Sequence, residues 1–403
     1  MANQFIRKLQ LSSFLSFAPD SPETDLAPLN VLIGPNASGK SNFIEAIELL
    51  HATPTDFSEP IRIGGTAGEW LWKGASPLKP AAITARLWGT NNVPELRYRL
   101  AFTEARTRLE IVDEALEHSF KSRPEETDVF FYYRYQNGHP VINVKEIVRD
   151  DAEQRVYVRR QLRRETLNPE QSVLSQRKDP DLYPEITRVA SEFGRMQIFR
   201  EWSFGRGAAL RQAQPATLPG DNLLPTLVNL GLVLNDLEHR DCWPRFVELM
   251  RRFLPRFNRI TTRILAGAVQ IQLFENNLKV PVPATRLSDG TIRFVALLAI
   301  LLRAEEASLI CIEEPELGLQ PDAISILADL LVETSQKTQL IVTTHSDNLV
   351  SELSDHANSI VVCEHDERGT LLQRLEPERL REWLERYSLG ELWLKGELGG
   401  VRW

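Results

Sequence analysis

A glycine-rich segment that ends in a lysine and a serine could bind a nucleotide phosphate. Residues 34–41 read GPNASGKS, after the apolar stretch LNVLI and before the amphipathic stretch SNFIEAIELLHA. Small residues let backbone N–H groups close around phosphate oxygens, and the helix that follows adds its dipole to the same anion. Lys40 would reach the β- and γ-phosphates of ATP, and the Ser41 hydroxyl would bind Mg²⁺. The alternative is a chance glycine turn. The predicted ATP-binding residues of this segment are Gly34, Asn36, Ala37, Ser38, Gly39, Lys40, Ser41 and Asn42.

Two adjacent glutamates follow a second apolar run and could complete a hydrolytic site. Residues 308–322 read SLICIEEPELGLQPD, so Glu313 and Glu314 come at the end of a predicted strand that is buried on both faces. Neighbouring strand residues point in opposite directions, which predicts different roles for the two carboxylates. Glu313 occupies the position of a magnesium ligand, and Glu314 would orient and deprotonate the attacking water. The alternative is an ordinary acidic turn after a strand.

A histidine ends the next apolar run. Residues 338–346 read TQLIVTTHS, which places His345 at a predicted strand end. A histidine there can donate a hydrogen bond to the γ-phosphate, so the predicted catalytic residues are Glu314, Lys40 and His345. A lone histidine is more often structural, and that alternative stays open.

A capped helix start could bind a second anion. In RLSDGTIRFVALLAILL, residues 286–302, Ser288 is a good N-cap, Gly290 leaves the backbone bare, and apolar residues then follow helical spacing. Since the phosphate loop of the same chain already holds one triphosphate, we expect Ser288 and Gly290 to meet the γ-phosphate on a partner subunit. The alternative is a core helix that is merely capped.

Composition excludes some classes of protein. The chain has 403 residues, of which 42% are apolar, and a formal net charge of −8. Its longest apolar run, FVALLAILL, is far shorter than the roughly twenty residues of a membrane helix, so we expect no membrane association. The three cysteines are widely spaced, and no signal pattern opens the chain, which together favour a cytoplasmic protein. The negative charge argues against a protein coated with nucleic acid.

The order of these segments resembles the ABC-type ATPase heads of the SMC/RecF/OLD group. That order is phosphate loop, LSDGT signature, strand with paired glutamates and strand ending in histidine, and the opening LSSFLSF resembles the first strand of those heads. The resemblance implies an α/β fold: a P-loop NTPase of the ABC-type ATPase head kind, with an antiparallel β flank and a helical lobe. It also implies a homodimer or higher oligomer in which two heads sandwich two ATP molecules, with residues 317–322 meeting across the interface.

Three segments are expected along the chain. Residues 1–165 would form an N-terminal ATPase lobe with the phosphate loop and a β-rich flank. Residues 166–260 would form an inserted helical lobe, and residues 261–403 a C-terminal ATPase lobe with the signature, the paired glutamates and the histidine. The chain looks most like the compact, stand-alone RecF-like heads that carry no nuclease domain.

Several departures from the family pattern stand out. Transporter heads carry LSGGQ where this chain has LSDGT, and the heptads and CxxC hook of an SMC rod are missing. Many relatives have histidine at the position of Gln320, and aspartate is commoner than Glu313. No glutamine occurs between Ser41 and Tyr135, so the usual glutamine that senses the γ-phosphate has no match. Only 58 residues follow His345, too few for the nuclease domain of OLD proteins.

Two basic runs could contact DNA. RVYVRRQLRRE at residues 155–165 and MRRFLPRFNRITTR at residues 250–263 interleave arginine with apolar residues. Such stripes, pooled by a dimer, could hold a duplex backbone. The alternative for each run is a solvated face with local acidic partners.

Two functions follow from these observations. The first is an ATP-hydrolysing switch that acts on DNA or on a DNA-processing partner, in repair or anti-phage defence. The second is a scaffold that binds ATP for assembly and recruits a separate effector nuclease. A detached transporter head is disfavoured.

Overall fold

A central sheet of mostly parallel strands positions the predicted site. A computed structural model describes residues 4–75, 77–89, 94–121, 125, 127–136, 138–148, 154–200 and 202–399. The strands are β1 Ile6–Ser12, β2 Thr24–Asp25, β3 Leu29–Ile33, β4 Ala81–Leu87, β5 Leu96–Ala105, β6 Arg108–His118, β7 Phe131–Gln136, β8 His139–Val148, β9 Gln154–Gln161, β10 Gln197–Phe199, β11 Gln214–Pro215, β12 Phe257–Leu265, β13 Ala268–Glu275, β14 Val282–Pro283, β15 Leu309–Glu313, β16 Gln339–Thr343, β17 Ile360–Asp366 and β18 Gly369–Arg374.

The α-helices are α1 Lys40–Ala52, α2 Ser58–Ile63, α3 Val173–Gln176, α4 Pro184–Gly194, α5 Leu230–Leu237, α6 Trp243–Phe253, α7 Asp289–Leu301, α8 Pro321–Ser335, α9 Asp347–Glu352, α10 Pro377–Leu384 and α11 Leu389–Leu394. Short 3₁₀ helices cover Ala67–Trp70, Arg164–Thr166, Ala209–Arg211, Ala284–Arg286, Ala304–Glu306 and Ser354–Ser359.

The central sheet has the strand order β10-β15-β16-β3-β17-β18. All neighbouring pairs in it are parallel except β17 and β18, which form an antiparallel hairpin. The strands β3 and β16 are buried throughout, as continuous apolar runs predict for a sheet that is covered on both faces.

An antiparallel sheet of eight strands, in the order β2-β1-β4-β5-β6-β7-β8-β9, forms the β flank that the sequence predicts. Its buried side chains join α1, α3 and α4 in one core against one face of the central sheet. Alternate residues of β15 point into different cores. Leu309 and Cys311 belong to this core, whereas Ile310 and Ile312 belong to a second one.

The second core lies on the other face of the central sheet and includes α5, α6, α7, α8 and α9. A smaller sheet of β11, β12, β13 and β14 packs there as well. Residues 166–260 supply helices, as expected, but they also supply β10, which pairs with β15 in the central sheet. The division into three lobes remains a prediction.

Candidate nucleotide-binding and hydrolytic site

The predicted site residues follow strands whose carboxyl ends meet at one edge of the central sheet. β15 pairs with β16 and β16 pairs with β3, all in parallel. The phosphate loop follows β3, Glu314 follows β15, and His345 comes two residues after β16. Ligands bind at this edge in open α/β sheets.

The backbone of the phosphate loop depends on its glycines. Gly34 and Gly39 have φ angles of 148° and 101°, in the region that side chains rarely adopt. A Cβ on Gly34 would collide with the carbonyl oxygen of Cys363, and a Cβ on Gly39 would collide with the hydroxyl of Thr370. The loop is therefore folded tightly against the β17–β18 hairpin, and neither glycine could carry a side chain.

Lys40 is held inside this loop. Its Nζ donates hydrogen bonds to the carbonyl oxygens of Gly34 (2.8 Å) and Pro35 (2.9 Å), and the residue is only 6% exposed. Burial lowers the pKa of the ammonium, and the nearby carboxylates of Glu314 and Glu313 act in the opposite sense. The two bonds use two of the three N–H groups, which leaves one for a ligand oxygen.

Other loop residues fit a phosphate ligand. Ser38 Oγ is buried and has no hydrogen-bond partner within the described residues, so a polar ligand would satisfy it. Asn36, Ala37 and Ser41 are exposed at the mouth of the loop. Asn42 lies one residue further on and donates to Ser16 Oγ at 2.7 Å. These are the features expected of a cradle for a phosphate ligand.

Glu314 has an unusual backbone. Its φ angle is 45°, in the left-handed region, so it stands outside the pleat of β15. Its N–H donates to the carbonyl oxygen of Thr343 (3.0 Å), and its carbonyl accepts from Arg293 Nη1 (3.1 Å). These bonds hold the carboxylate toward His345, whose Nε2 lies 3.5 Å from Glu314 Oε1.

The two adjacent glutamates have different surroundings, but not because they alternate along a strand. Glu313 is the last residue of β15, and the left-handed turn at Glu314 separates their side chains. Glu313 Oε2 accepts from Arg200 Nε at 3.1 Å, and the Glu313 carbonyl accepts from Trp202 Nε1 at 2.8 Å. Glu313 therefore faces the segment that follows β10.

Arg200 is a site residue that the sequence analysis missed. It follows β10 and also contacts Glu48 (2.8 Å) and Glu45 (3.3 Å) of α1. The guanidinium thus links the helix of the phosphate loop to the strand that carries the paired glutamates. The family pattern predicts a glutamine that senses the γ-phosphate between residues 41 and 135, where this chain has none. The segment that the sheet brings beside Glu313 is instead the one after β10.

A buried carboxylate holds the histidine segment. Glu316 is 6% exposed, and its Oε1 accepts from Thr344 Oγ1 (2.6 Å) and from the His345 N–H (3.2 Å). Burial raises the pKa of Glu316. Burial and the positive charge of Lys40 lower the pKa of His345. The Glu314 carboxylate acts in the opposite sense and offsets part of this lowering. Together these effects favour the neutral imidazole, and a residue of the neighbouring loop fixes the backbone of His345.

The signature segment begins α7 with the predicted cap. Ser288 is the N-cap, and its Oγ accepts from the Thr291 N–H at 3.1 Å. Gly290 exposes the backbone and also allows a close contact. A Cβ at this position would lie 2.6 Å from the Gly318 carbonyl oxygen. The start of α7 is therefore packed against the loop after β15. A meeting of Ser288 and Gly290 with a second nucleotide remains a prediction.

Four arginines of the two basic runs pair with local acidic residues within the described part of the chain. Arg160 pairs with Glu146, and Arg164 Nη2 lies 3.1 Å from Glu110 Oε1. In the second run, Arg252 and Arg256 pair with acidic residues, and Arg259 lies over a phenylalanine ring. The side chain of Arg155 lies outside the described residues. These pairs favour a solvated face over a DNA-binding stripe.

Two kinds of feature are absent from the described residues. Among them, no cluster of three or more histidine, cysteine, aspartate or glutamate side chains is arranged to hold a metal ion. No helix among them has the length and apolar character needed to span a membrane.

Comparison with known families gives one match that covers most of the site. The family described as "AAA domain, putative AbiEii toxin, Type IV TA system" matches residues 29–351. The matched range runs from the first residue of β3 into α9, so it includes the phosphate loop, the signature, the paired glutamates and His345.

A curated relative matches a shorter part of the chain. The Old nuclease of Escherichia phage P2 is 33% identical over 125 residues, which is 28% of this chain and 21% of that protein. The chain therefore spans about a fifth of the length of this relative.

Two solved structures share the fold over nearly their whole length. One is an SmcHead bound to the C-winged helix domain of ScpA, with a TM-score of 0.55, 15% identity and coverage of 93% of this chain and 99% of that chain. The other is an Smc head domain with an extended coiled coil bound to the C-terminal domain of ScpA, from Pyrococcus furiosus. It has a TM-score of 0.53 and 13% identity, and covers 94% of this chain and 98% of that chain.

Proposed function

The chain belongs to this AAA-domain family and has the fold of the ABC-type ATPase heads of the SMC/RecF/OLD group, and we propose that it is an ATP-hydrolysing switch. ATP would join two copies head to head, and hydrolysis would release them. The residues proposed to bind the nucleotide and its magnesium are those of the phosphate loop, with Ser41 and Glu313 on the metal.

One observation carries the proposal. Glu314 and His345 face each other at 3.5 Å, at the same sheet edge where the buried ammonium of Lys40 closes the phosphate loop. Phosphoryl transfer to water uses groups of this kind at the end of a phosphate cradle: a carboxylate, a neutral imidazole and an ammonium.

Each of these residues has a separate task. Glu314 accepts a proton from the attacking water, and its fixed backbone aims the carboxylate at one place. Neutral His345 donates a hydrogen bond from its ring to a γ-phosphate oxygen, and Lys40 binds the β- and γ-phosphates. Mg²⁺, when bound with the triphosphate, would neutralise charge on the phosphate oxygens.

Pairing of two heads is proposed from the exposed side of the same region. The start of α7 and the adjoining loop present Ser288, Gly290 and the half-exposed side chain of Leu317, which is 48% exposed. An apolar side chain beside a bare helix start is suited to contact with a second copy that carries a nucleotide. Residues 166–260 are proposed as the lobe that transmits the resulting movement.

The partner of the switch has two candidates. The first is DNA or a DNA-processing protein, in repair or anti-phage defence. The second is a separate effector nuclease that the ATP-bound oligomer recruits as a scaffold. The local ion pairs of the basic runs favour the second candidate, because paired arginines have less charge to offer phosphates. The phage P2 relative is a nuclease, which is consistent with a nuclease as the partner of this chain.

Substitution of Glu314 tests the ATPase proposal. We expect Glu314→Gln to bind ATP, to lower kcat by about a hundredfold or more, and to accumulate ATP-dependent dimers on a sizing column. The matched control is Glu305→Gln, because Glu305 pairs with Lys337 before the amino end of β15, away from the site. Normal hydrolysis by Glu314→Gln would contradict the assignment of the base.

Titration with DNA separates the two partners. A DNA-acting switch predicts an ATPase rate that rises several-fold with duplex DNA. A scaffold predicts an unchanged rate and a stable higher oligomer with ATP.

A further inference from the structure

The side chain of Arg211 is buried directly beneath the signature segment. It is 1% exposed, although it belongs to a short 3₁₀ helix, Ala209–Arg211, outside the central sheet. Its Nε donates to the Phe204 carbonyl (2.6 Å), and Nη1 donates to the carbonyls of Ala284 (3.0 Å) and Leu287 (2.6 Å). Nη2 pairs with the carboxylate of Asp289. One guanidinium therefore ties the chain before the signature to the first residue of α7.

A buried guanidinium is costly unless an anion neutralises it. The acidic partner that the described residues give Arg211 is Asp289, whose side chain is 64% exposed. The charge of Arg211 is thus balanced by the third residue of LSDGT, the position where transporter heads carry glycine. Ser288 and Gly290 flank Asp289, so the pair fixes the position of both.

Asp289 poses an electrostatic problem for the proposed pairing. A carboxylate in the first turn of α7 lies between the two residues expected to meet the triphosphate of a partner, and like charges repel there. Arg211 removes this repulsion, because its guanidinium binds the Asp289 carboxylate from the buried side and cancels its charge. The N-terminal dipole of α7 is then free to attract an anion.

We infer that Arg211 is a positioning residue for the signature segment: it fixes Asp289 and neutralises it, so that Ser288 and Gly290 can approach the nucleotide of a second copy. This inference rests on the proposed nucleotide-dependent pairing. It explains why this chain tolerates an aspartate between the two proposed contact residues.

Dimerisation of the Glu314→Gln protein with ATP and MgCl₂ provides the test, with the dimer dissociation constant measured by analytical ultracentrifugation. Addition of Arg211→Gln should raise that constant by about tenfold or more, because the carboxylate is left unpaired and the segment loses its anchor. Binding of a fluorescent ATP analogue to the monomer should change less than about threefold, since the phosphate loop is a separate element.

A second substitution tests whether Arg211 acts by neutralising Asp289 or only by stabilising the fold. Arg211→Gln combined with Asp289→Asn should recover most of the dimer affinity, because the repelling charge is gone. In Arg211→Gln alone, the loss of dimer affinity should also shrink as the salt concentration rises from 50 to 500 mM. Salt screens the repulsion between the Asp289 carboxylate and the triphosphate once the Debye length falls below their separation. A structural role alone predicts neither the recovery nor the salt effect.

Arg211→Lys covers the case in which Arg211→Gln does not fold. A lysine retains the charge but not the four-bond fork, and it should weaken the dimer by about threefold to tenfold while the melting temperature stays near that of the parent. An unchanged dimer constant in Arg211→Lys and Arg211→Gln, or no recovery with Asp289→Asn, would overturn the inference alone. Failure of the Glu314→Gln parent to dimerise, despite normal ATP binding, would overturn both the inference and the proposed pairing.

Discussion

Nε2 of His345 lies 3.5 Å from Oε1 of Glu314, so the ends of two neighbouring parallel strands bring an imidazole and a carboxylate face to face. Both side chains are about a third exposed, at 37% and 35%, which leaves them accessible to a ligand. The contact joins residues that are far apart in the sequence but adjacent at the sheet edge.

His345→Ala should therefore lower kcat for ATP hydrolysis by about a hundredfold, because it removes a donor to the γ-phosphate, while ATP affinity changes little. His345→Gln retains an amide N–H and should lose less. Phosphate release under saturating ATP gives the comparison, with His356→Ala as a control at an exposed position of the 3₁₀ helix Ser354–Ser359. Equal rates for His345→Ala and the control would remove His345 from the catalytic group.

Arg200→Ala should destabilise the fold by about 2–4 kcal/mol, because it leaves the carboxylates of Glu45, Glu48 and Glu313 together without their shared cation. Urea unfolding of the nucleotide-free protein measures the change. Arg195→Ala is the matched control, since Arg195 pairs with one carboxylate at a more exposed place. If both variants lose the same free energy of unfolding, the contact of Arg200 with three carboxylates stabilises the fold no more than an ordinary surface ion pair.

Gly290→Ala should reduce the ATPase rate by about tenfold and cost about 1–3 kcal/mol of stability, because a Cβ would lie 2.6 Å from the Gly318 carbonyl and displace one of the two segments. Nucleotide binding by the monomer should survive. Gly205→Ala serves as the control, since a Cβ at Gly205 meets no atom within 4 Å. A Gly290→Ala protein with full activity would mean that the close approach has no part in turnover.

Glu114 should make stability depend on pH. Burial raises its pKa from 4.5 to about 7, although Ser172, the Val173 N–H and Tyr98 donate to it. The folded state then binds the proton more tightly than the unfolded state, so the contribution is complete below pH 4.5 and is lost as pH rises through about 7.

Substitution by glutamine isolates this effect. Between pH 5 and pH 8, the free energy of unfolding of the wild type should fall by about 2 kcal/mol or more relative to that of Glu114→Gln. The variant also has one acceptor oxygen where Glu114 has two, but that cost shifts its whole curve and leaves the slope unchanged. Parallel curves from urea unfolding across this range would contradict the raised pKa.

Local patterns were sufficient to predict much of the architecture. The resemblance to SMC/RecF/OLD heads and the mixed α/β fold class are confirmed by the family match and the two solved heads. The phosphate-loop spacing predicted the helix that begins at Lys40, and the serine before an apolar periodic stretch predicted the N-cap of α7. Each of these features depends on neighbours within a few residues.

The arginines of the site could not be predicted in this way. Arg200 follows β10 and Arg211 ends a short 3₁₀ helix, and their acidic partners Glu313 and Asp289 lie 113 and 78 residues further along the chain. Only the sheet order brings β10 beside β15. The local signal for Arg200 was a pair of apolar residues, Ile198 and Phe199, directly before a charged residue, a pattern that suits a strand end in a parallel sheet.

The close packing of the phosphate loop on the β17–β18 hairpin bears on how the protein is made. Thr370 Oγ1 donates to the Ser38 carbonyl at 3.0 Å, across 332 residues of chain. A growing polypeptide on the ribosome therefore carries this loop without its Thr370 contact until the β17–β18 hairpin has also been synthesised. The proposed nucleotide site is therefore complete only after this hairpin has folded against the loop.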